Sequence, residues 1–363
     1  MTEIRLVDVF AGCGGLTAGF VLHDHGTRFV PVGAVEFDVD AAATYAANFG
    51  DEHVFLGDVA EWLRSDVPSA DVVLGGPPCQ GFSRLGTRDP RDPRNRLWSR
   101  YVDVVARARP SYFVLENVPA FLGSGQFEGL RKATHRGGRL AGYRLEWAVL
   151  DAGRHGTPQT RRRGVVVGRR PGLPSVLDRL VEAPGGTVAD AFTGLPSRVA
   201  ADAVELPDRT TTFRGHVRPG PFSGAELHVT RTYEEISLRR FAAIPAGGNR
   251  FDLPAELQAP CWRRHRRGAT DVMGRLRWDQ QAVTIRTEFF KPEKGRYLHP
   301  DEPRAITHLE AARLQGFPDG FRWCGTKASI ARQIGNAVPV PLAAAIATAI
   351  AGALRAQSGG CAA

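Results

Sequence analysis

The chain opens with Ile4-Arg-Leu-Val-Asp-Val9, which leads without a break into Phe10-Ala-Gly-Cys-Gly-Gly15. The first run predicts a short apolar strand, and the residues after the glycines, Leu16 to His23, predict a helix. Glycine lets the backbone approach a ligand closely and leaves N–H groups available where a helix starts. A strand, a glycine turn and a helix in this order predict the first unit of a nucleotide-binding α/β domain.

Strands and helices are predicted to alternate from this point to about Arg170. The runs 71–74 and 112–115 are continuously apolar and bounded by turn residues, which is typical of buried parallel strands. Such alternation predicts a doubly wound α/β domain. Further strands are predicted at 31–36, 54–56, 143–150 and 164–168, and helices at 38–49 and 98–107.

The pattern changes after about Arg170, where Pro, Gly and Arg become frequent and strands become short. We predict a second, irregular domain here, followed by helices at 309–315 and 340–354. Residues 209–299 hold 17 Lys and Arg against 9 Asp and Glu, a balance of +8 in a chain of net charge +9. This local excess predicts a polyanion-binding surface, although an arginine-rich solvated face would have the same composition.

The five cysteines, at positions 13, 79, 261, 324 and 361, include no Cys-x-x-Cys pair. A disulfide framework or a zinc site is therefore not expected, no metal is predicted, and a reducing cytoplasm fits the composition. The N-terminus predicts no signal peptide, and the apolar stretch 342–354 is expected to be a packed helix too short to span a bilayer.

Two carboxylates support a cofactor site at the glycine turn. Glu36 ends the second predicted strand, where a carboxylate can bind the two ribose hydroxyls of an adenosine, and Asp58 follows the third. The plainer alternatives are a surface acid for Glu36 and a helix N-cap for Asp58. The three features in order favour an adenosine-containing cofactor.

A cysteine follows the strand predicted at 71–74, in Gly75-Gly-Pro-Pro-Cys79-Gln-Gly-Phe-Ser83. Cytosolic cysteines are usually small buried apolar residues. That alternative does not explain a cysteine in a polar turn, behind two prolines, at the carboxyl end of a strand. A thiolate nucleophile is the functional interpretation.

Two further runs carry charged side chains near strand ends. Glu116-Asn117-Val118 directly follows the strand predicted at 112–115, so its carboxylate is expected in the same crevice as Cys79; a cap or a surface acid is the alternative. In Gln159-Thr-Arg161-Arg-Arg163, alternate residues of an extended segment face one side. Arg161 and Arg163 are therefore expected to point together towards an anion or carbonyl, with a solvated charge run as the alternative.

Taken together, the runs resemble the cytosine-5 DNA methyltransferase family, in family order and over the whole chain. One position departs from the family pattern, because Leu309 stands where an arginine thought to help join the two domains is common. The six matching signatures are Phe10-Ala-Gly-Cys-Gly-Gly15, Pro77-Pro-Cys-Gln80, Glu116-Asn-Val118, Gln159-Thr-Arg-Arg-Arg163, Glu310-Ala-Ala-Arg-Leu-Gln-Gly-Phe-Pro-Asp319 and Gln333-Ile-Gly-Asn-Ala-Val-Pro339.

The resemblance implies a Rossmann-like S-adenosylmethionine-dependent domain at residues 1–184, a target-recognition domain at 185–320 and a C-terminal return to the first domain at 321–363. It implies that Cys79 adds to C6 of a cytosine flipped out of duplex DNA. Glu116 would hold the N3 and amino edge of the base, Arg161 would bind its carbonyl, and Arg163 would support the site. The methyl group would pass to C5, leaving S-adenosylhomocysteine.

The resemblance also assigns contacts residue by residue. The segment from Gln80 to Arg100 is expected to be a mobile lid over the DNA. Residues expected at the cofactor are Phe10, Ala11, Gly12, Gly14, Gly15, Leu16, Glu36, Phe37, Asp58, Val59, Pro77, Leu97, Asn336, Ala337 and Val338. Residues expected at the DNA are Pro78, Gln80, Ser83, Asn117, Gln159 and Thr284.

Two alternatives stay open. The family's transfer-RNA branch has the same fold, although the arginine-rich insert 185–300 favours duplex DNA. A non-catalytic DNA-binding homologue is the other, and the intact Cys79, Glu116 and Arg161 argue against it. The expected setting is a cytoplasmic monomer, associated with the nucleoid when on DNA, with room for a cognate restriction endonuclease acting on the same site.

Overall fold

The computed structural model describes residues 3–78, 97–200, 203–264 and 268–360. The predicted nucleophile Cys79, the predicted DNA contacts Gln80 and Ser83, and the predicted lid up to residue 96 lie outside these ranges. The last residues assigned to that lid, 97–100, are the first turn of a helix.

A seven-stranded sheet in the order β3-β2-β1-β4-β5-β7-β6 forms the centre of the fold. Strands β1 to β5 are parallel to one another, and β7 runs antiparallel to both β5 and β6. The predicted α/β class is therefore confirmed. The strands are β1 Glu3–Val9, β2 Arg28–Glu36, β3 Val54–Leu56, β4 Val72–Gly75, β5 Tyr112–Asn117, β6 Arg144–Asp151 and β7 Arg162–Arg169, with a separate antiparallel hairpin of β8 Thr210–Phe213 and β9 His216–Pro219.

The helices lie close to their predicted positions where the sequence predicted any. They are α1 Gly15–Val21, α2 Val39–Phe49, α3 Val59–Trp62, α4 Leu97–Ala108, α5 Gly125–Ala133, α6 Val188–Phe192, α7 Glu235–Ala243, α8 Pro260–Arg264, α9 His308–Leu314, α10 Lys327–Asn336 and α11 Val340–Gly360.

Both faces of the sheet are buried, which explains why its central strands are apolar without alternation. Leu6 of β1 belongs to the core beneath α1 and α11, whereas its neighbour Val7 belongs to the core beneath α3, α4 and α5. Leu74 and Val73 of β4 divide in the same way. Successive side chains of a strand point to opposite faces, so each layer of helices receives alternate residues.

The last helix, α11, is longer than the sequence predicted, with 21 residues. The window Val340–Gln357 has a mean hydropathy of 1.4, so length and composition alone would allow it to cross a membrane. The expectation that it is too short is therefore corrected. Half of that window is buried within the structure, and Leu342, Ala343 and Ile346 join the core beside α1. The prediction of a packed helix is confirmed.

By its internal contacts the chain divides into two units. The first comprises residues 1–156, 162–183 and 338–363, and the second comprises 157–161 and 184–337. The second unit contains the β8–β9 hairpin, α6 to α10 and a small apolar core that includes Phe241, Leu253 and Leu298. The chain re-enters the first unit at Val338.

The residues around position 309, where the chain departs from the family pattern, form a buried ion pair within the second unit. Leu309 is buried, and the carboxylate of the next residue, Glu310, accepts two hydrogen bonds from the guanidinium of Arg304, at 2.7 and 2.8 Å. Thr307 caps α9, and its own N–H donates a hydrogen bond to the carboxylate of Glu310. Arg304 therefore neutralises a buried carboxylate at the start of this signature.

Candidate active site

The carboxyl ends of β1, β2, β4 and β5 meet at one edge of the sheet, because these strands are parallel and adjacent. The glycine loop follows β1, Glu36 ends β2, Gly75 ends β4, and Glu116 lies near the end of β5. Ligands bind at this edge in open α/β sheets. The sequence-predicted residues of the first unit are thus gathered at the edge where a ligand site is expected.

The glycine loop has the left-handed backbone that such a turn requires. Phe10, Gly12 and Gly14 have φ of 61°, 56° and 90°. A Cβ on Gly14 would stand 2.5 Å from the ring of Phe49 and 2.9 Å from that of Tyr45, whereas a Cβ on Gly12 would meet nothing within 4 Å. Phe10 is a strained non-glycine residue, which is common beside ligands. Gly14 is required for packing, and Gly12 faces open space.

Glu36 holds the loop from the neighbouring strand. One of its oxygens accepts from the N–H of Gly12 at 2.7 Å, and the other accepts from Phe37 and Asp38. Burial raises the pKa of this carboxyl, and the backbone N–H groups oppose the rise. Next to it the ring of Phe37 is 77% exposed, an unusual state for a large aromatic side chain. The Glu36 carboxylate and the exposed Phe37 side chain are therefore neighbours beside the glycine loop.

The other predicted cofactor residues divide between the two units. Asp58 is exposed at the N-cap of α3, where its carboxylate accepts from the N–H of Ala60 at 2.6 Å. Asp58 therefore has the helix-capping role that was the alternative to cofactor binding. Gly15, Leu16 and Val59 are buried, Ala11 is 9% exposed, and Leu97 starts α4. Asn336 and Ala337 end α10 in the second unit, whereas Val338 belongs to the first.

The backbone that leads into Cys79 is anchored to β5. Gly75 pairs with Leu115, and a Cβ on Gly76 would lie 3.6 Å from a carboxylate oxygen of Glu116. Asn117 is 5% exposed, and its side-chain amide donates to the carbonyl of Pro77 at 3.0 Å. Its Oδ1 accepts from the N–H of the next residue. In this structure Asn117 therefore positions the backbone of Pro77, and its contact with DNA stays a prediction.

Cys79 follows Pro77 and Pro78, of which the first is buried and the second exposed. The cysteine of the glycine loop, Cys13, is no competitor. Burial raises the pKa of the Cys13 thiol to about 12, which keeps it protonated.

An ion pair joins β5 and β7 beside this backbone. The guanidinium Nε of Arg163 lies 2.7 Å from Glu116 Oε1, and the two side chains are 15% and 11% exposed. Arg161 was expected at the base carbonyl with Arg163 in support, and in the structure the two side chains have different partners. Arg161 is 2% exposed and donates to the backbone carbonyls of Ile285 and Gly335. The two arginines do not point together, and Arg163 is the one at the carboxylate.

Two more predicted DNA contacts have structural roles in the second unit. Gln159 is fully buried; its amide donates to Leu314 O and Gln315 Oε1 and accepts from Ile285 N. These hydrogen bonds occupy both ends of the Gln159 amide, and its contact with DNA stays a prediction. Thr284 is partly exposed, and its hydroxyl donates to the carbonyl of Thr160 at 2.8 Å.

A buried acid that the sequence reasoning missed lies under the glycine loop. Asp8 is 1% exposed and accepts from the hydroxyl of Thr17 at 2.7 Å, which in turn lies 3.2 Å from Tyr45 Oη. Burial raises the pKa of Asp8 to about 7. The signal was an aspartate between Val7 and Val9 in an otherwise apolar strand, a pattern that a solvated side chain does not produce. Within the described residues, no group of three or more His, Cys, Asp or Glu side chains could hold a metal ion.

Comparison with known families identifies the class of enzyme. The family model for C-5 cytosine-specific DNA methylases matches residues 4–352. The chain belongs to this family. It is therefore a DNA (cytosine-5-)-methyltransferase, the class of enzyme that methylates cytosine at C5 and in general takes the methyl group from S-adenosylmethionine.

Similar proteins cover nearly all of this methyltransferase. The type II methyltransferase M1.HphI of Haemophilus parahaemolyticus is 32% identical, over 96% of this chain and 87% of its own. The type II methyltransferase M.XorII of Xanthomonas oryzae pv. oryzae is 33% identical, over 98% and 86%. A crystal structure assigned to a prophage-encoded DNA modification methyltransferase from E. coli is 27% identical, covers 97% of this chain and 99% of that one, and superposes with a TM-score of 0.72.

Proposed function

We propose that this methyltransferase acts on a cytosine flipped out of a specific duplex DNA sequence, through a covalent bond between Cys79 and C6 of the base. The observation that supports this most directly is the Glu116–Arg163 pair, which adjoins the backbone that leads into Cys79. The pair offers an acceptor and a donor that the edge of one base would use.

The pair explains how the ring is activated. C5 of cytosine is a poor nucleophile until the thiolate of Cys79 adds to C6 and its electron pair makes C5 enamine-like. Glu116 would hold the N3 and amino edge of the base and stabilise the proton that N3 carries in the adduct. Arg163, rather than Arg161, would bind the base carbonyl. Once C5 has gained the methyl group, loss of its proton and of the thiolate restores the aromatic ring.

The residues at the glycine loop fit an adenosine-containing methyl donor. Glu36 would bind the two ribose hydroxyls, Phe37 would cover a face of the adenine ring, and Asp58 would accept from its amino group. Gly12 faces the open space that such a ligand needs. S-adenosylmethionine, when bound, supplies an electrophilic methyl group on sulfur and leaves as S-adenosylhomocysteine.

A base inside a duplex is out of reach of a thiol, so the target has to leave the stack. The second unit would bind the DNA, since residues 209–299 within it carry the balance of +8. Such charge supplies phosphate contacts that set the register, and a few side chains reading base edges would supply specificity. We propose a monomer working in the cytoplasm on nucleoid DNA, with a cognate restriction endonuclease for the same site.

The test is expression in a host that lacks DNA methylation, followed by bisulfite sequencing of its DNA. We expect 5-methylcytosine at one short sequence, present with the wild type and with the control Cys361→Ser, whose position is outside the segments assigned to the cofactor, the base and the DNA. Cys79→Ser should leave the DNA unmodified. Methylation of transfer RNA alone, measured with labelled S-adenosylmethionine, would contradict the proposal.

A further inference from the structure

The second unit carries a two-stranded ribbon, the β8–β9 hairpin, which forms a sheet of its own. Its turn consists of Arg214 and Gly215, whose φ angles are 48° and 80°. Positive φ at both central residues defines a type I′ turn, whose twist matches that of an antiparallel ribbon. The hairpin therefore has a tight tip formed by an arginine and a glycine.

The root of this hairpin is anchored inside the second unit. The carbonyl of Pro219 accepts a hydrogen bond from the N–H of Gly325 at 2.8 Å. Phe222, which follows β9, exchanges two backbone hydrogen bonds with Trp323, and both aromatic side chains are fully buried. Two strands without such support are marginally stable in water, so the anchoring makes the ribbon a supported element of the unit.

One face of the ribbon is packed and the other is open. Phe213 lies on the packed face and is buried. The register places Thr212 opposite Val217, and Thr210 lies on the same side as Thr212, on the open face. All three side chains are exposed, and Val217 is 64% exposed although valine is among the residues most often buried. The open face therefore presents methyl and hydroxyl groups to solvent.

The charge along this segment has one sign. Residues 209–225 include three arginines and one histidine, and no Asp or Glu. Arg214 and His216 are exposed at the tip, whereas the nearest acids in the chain, Asp208 and Glu226, are at the root. The tip and the open face therefore complement a polyanion.

Much of the basic excess counted from the sequence is used inside the second unit. Arg275 is buried and donates to backbone carbonyls, and Arg296 donates to the carbonyls of the glycine pair 247–248. Lys291 and Lys294 both contact the carboxylate of Glu288. Positive charge that meets DNA has to come from exposed elements, of which the hairpin is one.

The dimensions of the hairpin suit the major groove of B-DNA. The groove is about 12 Å wide and admits a two-stranded ribbon, whose strands are about 4.8 Å apart. Each strand has four residues, which rise roughly 13 Å, the length of about four base pairs. In this groove arginine pairs with O6 and N7 of guanine, and side-chain methyl groups contact the C5 methyl of thymine.

We propose that the β8–β9 hairpin is a base-reading element of this methyltransferase. It enters the major groove of duplex DNA with Arg214 on a guanine and with the open face of Thr210, Thr212 and Val217 on the neighbouring bases. This assignment rests on the proposed binding of duplex DNA by the second unit. It requires a G·C pair in the recognised sequence at the position that Arg214 contacts.

Methyl transfer to short duplexes tests the assignment. Bisulfite sequencing with the wild type gives the recognised sequence, and each duplex then carries that sequence or one changed base pair. Arg214→Asn removes the guanidinium and leaves asparagine before Gly215, a pair that type I′ turns favour, so the hairpin is kept. The ratio of kcat/KM between the recognised duplex and the duplex changed at one G·C pair should fall at least about fivefold. Ratios at the other pairs should stay within about twofold.

A pair of valines supplies the second variant and its control. Val217→Ala should lower the discrimination at a neighbouring base pair by about threefold or more. Val181→Ala changes a valine of the first unit that is 76% exposed, and it should leave every ratio within about twofold of the wild type. The Kd for S-adenosylhomocysteine should equal that of the wild type in all three variants.

The outcomes separate this assignment from the proposed function. An equal loss of kcat/KM on every duplex would indicate a phosphate contact and would overturn the assignment. Unchanged ratios with both Arg214→Asn and Val217→Ala would overturn it too, while the wild type would still methylate its sequence. If the wild type methylates no duplex, the proposed function fails and the assignment fails with it.

Discussion

Two alanine substitutions in the glycine loop should have opposite consequences, because Gly12 and Gly14 differ in what surrounds them. A Cβ at Gly14, where φ is 90°, would stand 2.5 Å from the ring of Phe49 and 2.9 Å from that of Tyr45. A Cβ at Gly12, where φ is 56°, would meet no atom within 4 Å. Gly14→Ala should therefore damage the fold, and Gly12→Ala the ligand site.

The magnitudes follow from these surroundings. Placing alanine in the left-handed region lowers the free energy of unfolding by roughly 1–2 kcal/mol. Alanine also restricts the unfolded chain more than glycine does, which offsets about 0.4–1 kcal/mol of that loss. Gly12→Ala should thus lower the free energy of unfolding by about 1 kcal/mol. Gly14→Ala adds an overpacking cost of roughly 1–3 kcal/mol, for a total loss of about 2–4 kcal/mol.

Urea unfolding and calorimetric binding of S-adenosylhomocysteine measure the two effects separately. Gly12→Ala should keep most of the stability yet bind at least tenfold more weakly, since its methyl group enters the space assigned to the cofactor. Equal stability of the two variants would refute the packing account of Gly14. Unchanged binding by Gly12→Ala would refute the assignment of this loop to the cofactor.

Three further substitutions test the site and its support. Arg163→Ala removes the partner of Glu116 and should lower kcat by roughly 30–160-fold, about 2–3 kcal/mol. A labelled methyl-transfer assay measures this loss. As the control, substitution of the exposed neighbour, Arg162→Ala, should keep kcat within about threefold of the wild type. Asn117→Ala removes the hydrogen bond to the carbonyl of Pro77 and should lower kcat by roughly 5–30-fold, or about 1–2 kcal/mol. The Kd for S-adenosylhomocysteine should stay unchanged. A change in that Kd without a change in kcat would contradict a positioning role. Because burial raises the pKa of Asp8 from 3.8 to about 7, the folded chain keeps a proton that the unfolded chain loses. Stability should therefore fall as pH rises from 4 to 7, by at most about 1.4 kcal/mol per pH unit, and Asp8→Asn should flatten this slope in urea unfolding at several pH values.

The sequence predicts the α/β unit well because its signals are local and agree with one another. The apolar runs at 71–74 and 112–115 lie in the strands Val72–Gly75 and Tyr112–Asn117, which are buried on both faces. Gly14 is a glycine because a side chain there would collide with Phe49 and Tyr45. The edge at which Glu36 and Glu116 lie follows from the order of parallel strands. These features depend on the spacing of apolar residues, on the residue types at turns and on the handedness of the connections between strands. All three can be inferred from short stretches of sequence.

The direction of a polar side chain depends on long-range partners, and there the sequence was less informative. Gln159, Asn117 and Arg161 were expected at the DNA or the base, yet each is buried on backbone groups that lie up to 174 residues away in the chain. Nothing near Arg161 distinguishes it from Arg163 in the sequence. Only the pairing of β5 with β7 brings Arg163 to Glu116.

The central claim is that Cys79 forms a bond to cytosine C6 during the reaction. Duplex DNA containing 5-fluorocytosine at the methylated position tests it, because the fluorine cannot leave as the C5 proton does, and the adduct cannot collapse. With S-adenosylmethionine present, mass spectrometry should find one DNA strand and one methyl group on a peptide that contains Cys79, and no adduct with Cys79→Ala. An adduct on another residue, or methylated DNA from Cys79→Ala, would contradict the account.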